Sequence, residues 1–245
     1  MASTICVVGR HRAVRFAGRE LARYLRKATD RTIPVRCADG RSATFTIGVC
    51  EDVGIRRPRR ISCDDDWLRI KPKGRGYVLT GSNPRSVLFA VYRYLQEAGC
   101  RWIRPGRRGE IIPKLRSPIT RGLDIDERAS YRYRTICIEG SCSRQHVTDL
   151  IDWMAKHFMN GYFIQFHLGT YFWRRWYHHE GNRYQKRERF NAKAIAQAVT
   201  NALAKRDMRF ERVGHGWTCA ALGMTGEGWD TAKVKVPPAK RKWLL

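Results

Sequence analysis

The residues best equipped for chemistry stand at the ends of short apolar runs in the second half of the chain. Glu139 closes Thr135–Glu139, Gln165 and His167 close Gly161–His167, and His215 and Trp217 follow Arg209–Gly214. A carboxylate, an amide and imidazoles supply hydrogen-bond donors and acceptors. An indole supplies a flat stacking face. Between these runs a long ring-rich loop, Thr170–Asn182, is expected, with Tyr171, Phe172, Trp173, Trp176, Tyr177, His178 and His179. It has enough rings to wall a pocket, and Trp176 and His179 are its candidate contact residues. His178 and His179 do not suggest a metal centre. Adjacent side chains project in different directions, and no third ligand stands at a useful spacing. No cofactor is expected.

Two carboxylate groupings look chemical and are read otherwise. Asp64-Asp65-Asp66 stands at a strand entry and is expected to be a solvated loop. Asp126-Glu127 falls in a connector and is not expected to act as an acid/base pair. Eight cysteines occur, at 6, 37, 50, 63, 100, 137, 142 and 219, and no two have CxxC spacing. Reduced thiols in a cytoplasmic protein are expected, with Cys6, Cys37, Cys50 and Cys137 acting as small hydrophobes in strands.

The elements that must position these residues follow from periodicity. Strands are expected at Thr4–Val8, Ile33–Ala38 and Ala43–Cys50, with an amphipathic helix over about 11–29. A hairpin is expected from Trp67–Lys71 and Gly76–Thr80. Asn83 and Pro84 together mark a helix start, a cap followed by proline at the first helical position, for a helix over Arg85–Ala98 that Gly99 ends. Arg101–Arg104 and Glu110–Ile112 are expected as short closing strands. The stretch from about Pro113 to Tyr131 has little periodicity and reads as a linker. Beyond it the rhythm is strand, helix, strand, helix, strand, with helices near 144–158 and 191–206. That rhythm belongs to a parallel sheet or a TIM barrel, where functional groups gather at the carboxyl ends of strands.

The chain has 245 residues, 48 of them Lys or Arg against 22 Asp or Glu, for a net charge of +26. The basic excess is +16 over residues 1–118 (26 basic, 10 acidic) and +10 over residues 119–245 (22 basic, 12 acidic). It is spread rather than gathered in one arm, and arginine supplies 36 of the 48. A composition bias therefore explains the charge better than a dedicated nucleic-acid surface. Non-specific polyanion binding at low salt is still expected. No apolar run reaches the ~20 residues that span a bilayer, so no membrane partner is expected.

Two stretches carry a family resemblance. Gly81-Ser82-Asn83-Pro84-Arg85-Ser86-Val87-Leu88-Phe89-Ala90-Val91-Tyr92-Arg93-Tyr94-Leu95, followed by Gly99-Cys100-Arg101-Trp102, resembles a motif in the N-terminal α+β domain of family 67 α-glucuronidases and family 20 β-hexosaminidases. Ile151–Lys156, Met159–Phe166 and Gly214–Cys219 look like the start of the barrel in the glycoside-hydrolase-like domain of unknown function 4838. The resemblance implies an α+β accessory domain over 1–118 (a mixed sheet with two helices), a linker over 119–131, and the first βα units of a truncated TIM (β/α)8 barrel over 132–245. Proteolysis is then expected to leave a fragment ending near Pro113–Arg128.

The same resemblance implies a hydrolase relative in carbohydrate metabolism, acting on O-glycosyl bonds of uronic-acid or amino-sugar glycans. Glu139, Gln165, His167, Trp176, His179, His215 and Trp217 become glycan-binding candidates. The resembled families place their catalytic carboxylates on later strands, so no catalytic residue is assigned and the chain alone is expected to be inactive. The implied partners are a glycan and a separately encoded remainder of the barrel. The competing expectation is a non-catalytic carbohydrate- or polyanion-binding module.

Overall fold

The computed structural model describes residues 3–37, 43–119, 121–138, 140–164, 171–183 and 187–212. In the first half, β1 (Ile5–Val7), β2 (Val35–Cys37), β3 (Phe45–Val49), β4 (Trp67–Lys73) and β5 (Gly76–Gly81) build most of one sheet. Two helices serve it, α1 (Arg12–Thr29) and α2 (Pro84–Glu97). A two-stranded hairpin follows, β6 (Arg101–Trp102) with β7 (Glu110–Ile111). The large sheet runs β2-β1-β3-β5-β4-β8, where β8 is Ile125–Arg128. β2, β1, β3 and β5 are parallel; β4 runs antiparallel to both β5 and β8.

The residue choices explain these elements. Asn83 accepts a hydrogen bond from the Ser86 amide at 2.8 Å and Pro84 opens α2, as the sequence predicts. Gly76 is obligatory, because a Cβ there would lie 1.8 Å from the Thr44 carbonyl oxygen. Val87, Leu88, Val91 and Leu95 of α2 are buried, as are Val14, Ala17, Leu21 and Leu25 of α1. The two helices lie against one another in the core.

The stretch read as a linker departs from expectation at Ile125–Arg128, which forms β8 against β4. Only Ile125 is partly buried and the three polar residues after it are exposed, so this edge strand has no apolar alternation to reveal it. The Trp67 indole N–H donates to Asp126 at 2.7 Å, and Arg93 donates to Glu127 at 2.9 Å. Both carboxylates of the Asp126-Glu127 pair thus fasten the strand.

The second half holds β9 (Thr135–Cys137), α3 (Arg144–Lys156), β10 (Gly161–Ile164), α4 (Tyr171–His178), α5 (Ala192–Ala204) and β11 (Arg209–Arg212). Its sheet runs β11-β10-β9 and is parallel throughout. The expected strand–helix rhythm is present over the described residues. Cys6 and Cys50 are buried, whereas Cys137 is exposed and so does not serve as a core residue. Cys37 offers no test, its side chain lying outside the description.

One hydrophobic core runs through both halves, from Ile5 and Phe45 through Phe89 to Ile151, Tyr162 and Val199. Buried charge crosses between them too. Asp66, expected in a solvated loop, is buried and bonded by Asn83, Ser86 and Arg85 of the first half and by Arg134 and Asn160 of the second. Burial pushes its carboxyl up, but the charges and hydrogen bonds of Arg85 and Arg134 outweigh that and hold it at about 2. A second buried node joins Asp152 to Lys156 and Arg206, and Lys156 also reaches Glu110 at 3.2 Å. Burial raises the Asp152 carboxyl as well; Arg206 and Lys156 bring it down to about 2.

Candidate functional site at the strand ends of the second sheet

The loop after β9 is drawn against the segment around α4. Ser143 caps α3 by accepting from the His146 amide at 3.1 Å. Asn182, beyond α4, donates to the Cys142 carbonyl at 2.9 Å and to the Tyr177 carbonyl at 3.0 Å. Glu188 accepts from the Arg144 amide at 3.0 Å and from the Tyr177 hydroxyl at 2.8 Å. These bonds bring α4 to the side of the sheet where β9 and β10 end.

The ring-rich stretch, read as a loop, contains an eight-residue helix. Trp173 and Tyr177 stand four positions apart on one helical face, and both are buried. Trp173 is completely enclosed, and its indole N–H has no acceptor among the described residues. Trp176 is turned the other way and is 47% exposed. Its ring lies 5.9 Å from that of His179, with the planes only 35° apart. Two flat faces therefore stand side by side at the surface.

A cleft of about 400 Å³ is lined by Arg174, Tyr177 and His178 of α4 and by Glu188, Arg189 and Phe190, without Trp176 or His179. Phe190 packs edge-on to Tyr177 at 5.4 Å and forms part of the floor. Burial, then the hydrogen bond to Glu188, pushes the Tyr177 hydroxyl well above its ordinary range. It stays a neutral donor. Glu188 is occupied by its two hydrogen bonds, while Arg174, His178 and Arg189 are exposed. The cleft can therefore offer rings, donors and positive charge. Chemically it can stack a flat apolar face and hydrogen-bond hydroxyl or anionic groups.

A second cavity, about 260 Å³, lies along the junction of the two halves. Trp67, Leu68, Phe89 and Phe158 give it apolar walls. Its polar groups are already committed. Asp66 carries the node described above, and Arg134 bonds the Phe158 carbonyl, the Tyr131 carbonyl and Asp66. The seam cavity is thus poor in free hydrogen-bonding capacity, unlike the cleft at α4.

Of the seven residues expected to bind, Trp176 and His179 are described, and they are neighbours. Glu139, Gln165, His167, His215 and Trp217 lie outside the described residues. Arg174, Arg189 and Phe190 were not expected. Phe190 could have been flagged as one more ring in the same stretch; the two arginines carry no signal in a chain so rich in arginine. Among the described residues, no cluster of three or more His, Cys, Asp or Glu could hold a metal ion.

Similarity to known proteins lies in the fold. No family model matches the chain, and no curated protein matches it. Solved glycoside hydrolases do. The N-acetyl-β-hexosaminidase of Streptomyces plicatus aligns over 97% of this chain and 46% of its own, at 19% identity and a TM-score of 0.57. A GH138 enzyme targeting pectin rhamnogalacturonan II aligns over 99% of this chain and 28% of its own, at 10% identity and 0.59. A GH115 4-O-methyl-α-glucuronidase with specificity for decorated arabinogalactans aligns over 99% and 33%, at 14% and 0.58. The chain has a glycoside-hydrolase-like α+β fold. It spans less than half the length of each of these structures.

Proposed function

We propose that this chain is a glycan-recognising, glycoside-hydrolase-like protein related to domain of unknown function 4838. In this reading β9, β10 and β11 are the first strands of a (β/α)8 barrel, and residues 1–118 form the accessory domain. The observation that carries it is the ring-walled cleft at α4, on the side of the sheet where β9 and β10 end; the Trp176–His179 ring pair adds exposed ring surface at the same helix. Sugars present apolar faces to rings and hydroxyls to polar groups, and barrel-type sites form at this end of the strands. Glu139, Gln165, His167, His215 and Trp217 belong to the same proposed rim.

The chain alone is proposed to bind without hydrolysing. Glycoside hydrolysis needs two carboxyl groups about 5–9.5 Å apart across a sugar. Among the described residues that line the proposed cleft, Glu188 is the single carboxylate, and it is held by Tyr177 and Arg144. The test is titration of the chain with N-acetylglucosamine and glucuronic-acid oligosaccharides, followed by saturation-transfer NMR, alongside an aryl-glycoside assay. Binding without turnover is expected. Turnover overturns the claim of inactivity, and no transfer to any oligosaccharide overturns the glycan reading.

A further inference from the structure

The β6–β7 hairpin has two faces of opposite character. Trp102 and Glu110 are paired across it and point inward. Trp102 is buried, its indole N–H donates to the Tyr24 hydroxyl at 2.9 Å, and its carbonyl accepts from the Trp153 indole at 2.8 Å. Glu110 is bonded by Tyr24 and by Lys27 at 2.7 Å. The outward face carries Arg101, paired with Ile111, and Ile103 two residues further along. Ile103 is 67% exposed and Ile111 52% exposed. They are two of the few large aliphatic side chains that the described surface presents to water.

Three arginines crown the same hairpin. Arg104, Arg107 and Arg108 are exposed, and among the described residues no carboxylate lies within ion-pair distance of them. Asp149 rests against Gly106 and takes a hydrogen bond from Gln145 at 2.6 Å. The turn is rigid. Gly106 has φ +82°, the Gly109 amide bonds its carbonyl at 3.0 Å, and a Cβ on Gly109 would strike the Arg104 carbonyl at 2.1 Å. The arginines and isoleucines are thus presented from a fixed frame.

We propose that this hairpin is a docking surface for an anionic lipid bilayer. The charge complements acidic headgroups, and the two isoleucines suit the boundary between headgroup and acyl chain. A nucleic acid or an acidic polysaccharide would use the arginines and leave the isoleucines without a role. The surface lies on a membrane and does not span it, and no described helix is long and apolar enough to cross one. The inference is independent of the proposed glycan site, which sits on other elements.

The full chain is sedimented at 150 mM salt with phosphatidylcholine vesicles and with vesicles holding about one-third phosphatidylglycerol. The expected result is partition onto the acidic vesicles only. An Arg104→Gln, Arg107→Gln, Arg108→Gln variant is expected to lose on the order of 100-fold in partitioning, at ~1 kcal/mol for each basic residue near an acidic surface. An Ile103→Ser, Ile111→Ser variant keeps the charge and is expected to lose roughly tenfold through lost apolar burial. All five exposed tip and strand positions can be changed with the inward Trp102 face intact, so unchanged circular dichroism is expected of both variants. Absence of binding to acidic vesicles overturns the proposal. So does an isoleucine variant that binds like the parent, which would mark a polyanion surface.

Discussion

The seam between the two halves and the rim at α4 use the same residue types to opposite effect. At the seam, Arg85 and Arg134 close on Asp66, and Lys156 and Arg206 close on Asp152, in pairs that are largely buried. At the rim, Arg174, His178 and Arg189 face solvent around one carboxylate that is already bonded. Positive charge in this chain is therefore not one property. Where partners have been found it holds the fold together; where they have not, it is free to meet a ligand.

The largest test of this contrast removes a partner at the seam. Asp66→Ala leaves the Arg85 and Arg134 guanidiniums facing an uncompensated cavity. Losing one member of a buried charged network costs about 3–5 kcal/mol. Urea unfolding of the variant is expected to shift by that amount. A loss under about 1 kcal/mol would mean that the seam is not held by this node. The node also bears on where the chain can be cut. Because Ile125–Arg128 is a paired strand and the core is continuous, protease cleavage within 125–128 is expected to be slower than in an unpaired connector.

Within the rim, the two tryptophans of α4 provide the next contrast. Trp173 is fully enclosed, so Trp173→Ala removes a large buried ring and is expected to cost about 3 kcal/mol or more. Thermal unfolding measures it directly. If Trp173→Ala unfolds no earlier than the parent, α4 is not anchored through this residue, and the cleft it frames loses its rigid wall.

Acid should weaken the seam. Asp66 and Asp152 both have folded values of about 2, below the ~3.9 of an unfolded aspartate. A carboxyl lowered on folding stabilises the native state above its unfolded value. That contribution fades as pH falls from about 4 through about 2, and it amounts to roughly 2 kcal/mol per group. Stability measured from pH 6 downward is expected to stay nearly level to about pH 4 and then drop. Asp66→Asn should flatten part of that drop. An unchanged acid limb in that variant would assign the loss elsewhere.

These outcomes bear on what a sequence can disclose. Regular elements were legible because their signals are local: Asn83-Pro84 starts α2, and the apolar spacing of Val14, Ala17, Leu21 and Leu25 makes α1. The Asp66 node was not, because its partners lie 17 to 94 positions away and nothing local distinguishes the third aspartate from the two before it. β8 was hidden because an exposed edge strand needs no alternation. α4 was hidden because aromatic residues are only middling helix formers. Of the expected binding residues, Trp176 and His179 stand together at the rim. Their spacing of three puts two rings on one side once the stretch is helical, a consequence hidden while it read as a loop.

The smallest stability effect belongs to the residue with the largest proposed role. Trp176 is 47% exposed and contributes little buried area, so Trp176→Ala is expected to change stability by no more than about 0.5 kcal/mol. Its ring, standing 5.9 Å from His179, offers a stacking face. Removing a stacking ring from a binding surface commonly costs about 1–2 kcal/mol, or roughly tenfold in affinity. Titration of oligosaccharide into the parent and the variant, with unfolding followed in parallel, separates the two effects. Affinity lost at unchanged stability places Trp176 in the ligand's path. Affinity retained would move recognition away from the ring pair and toward Phe190 and the arginines of the cleft, which Phe190→Ala would then test.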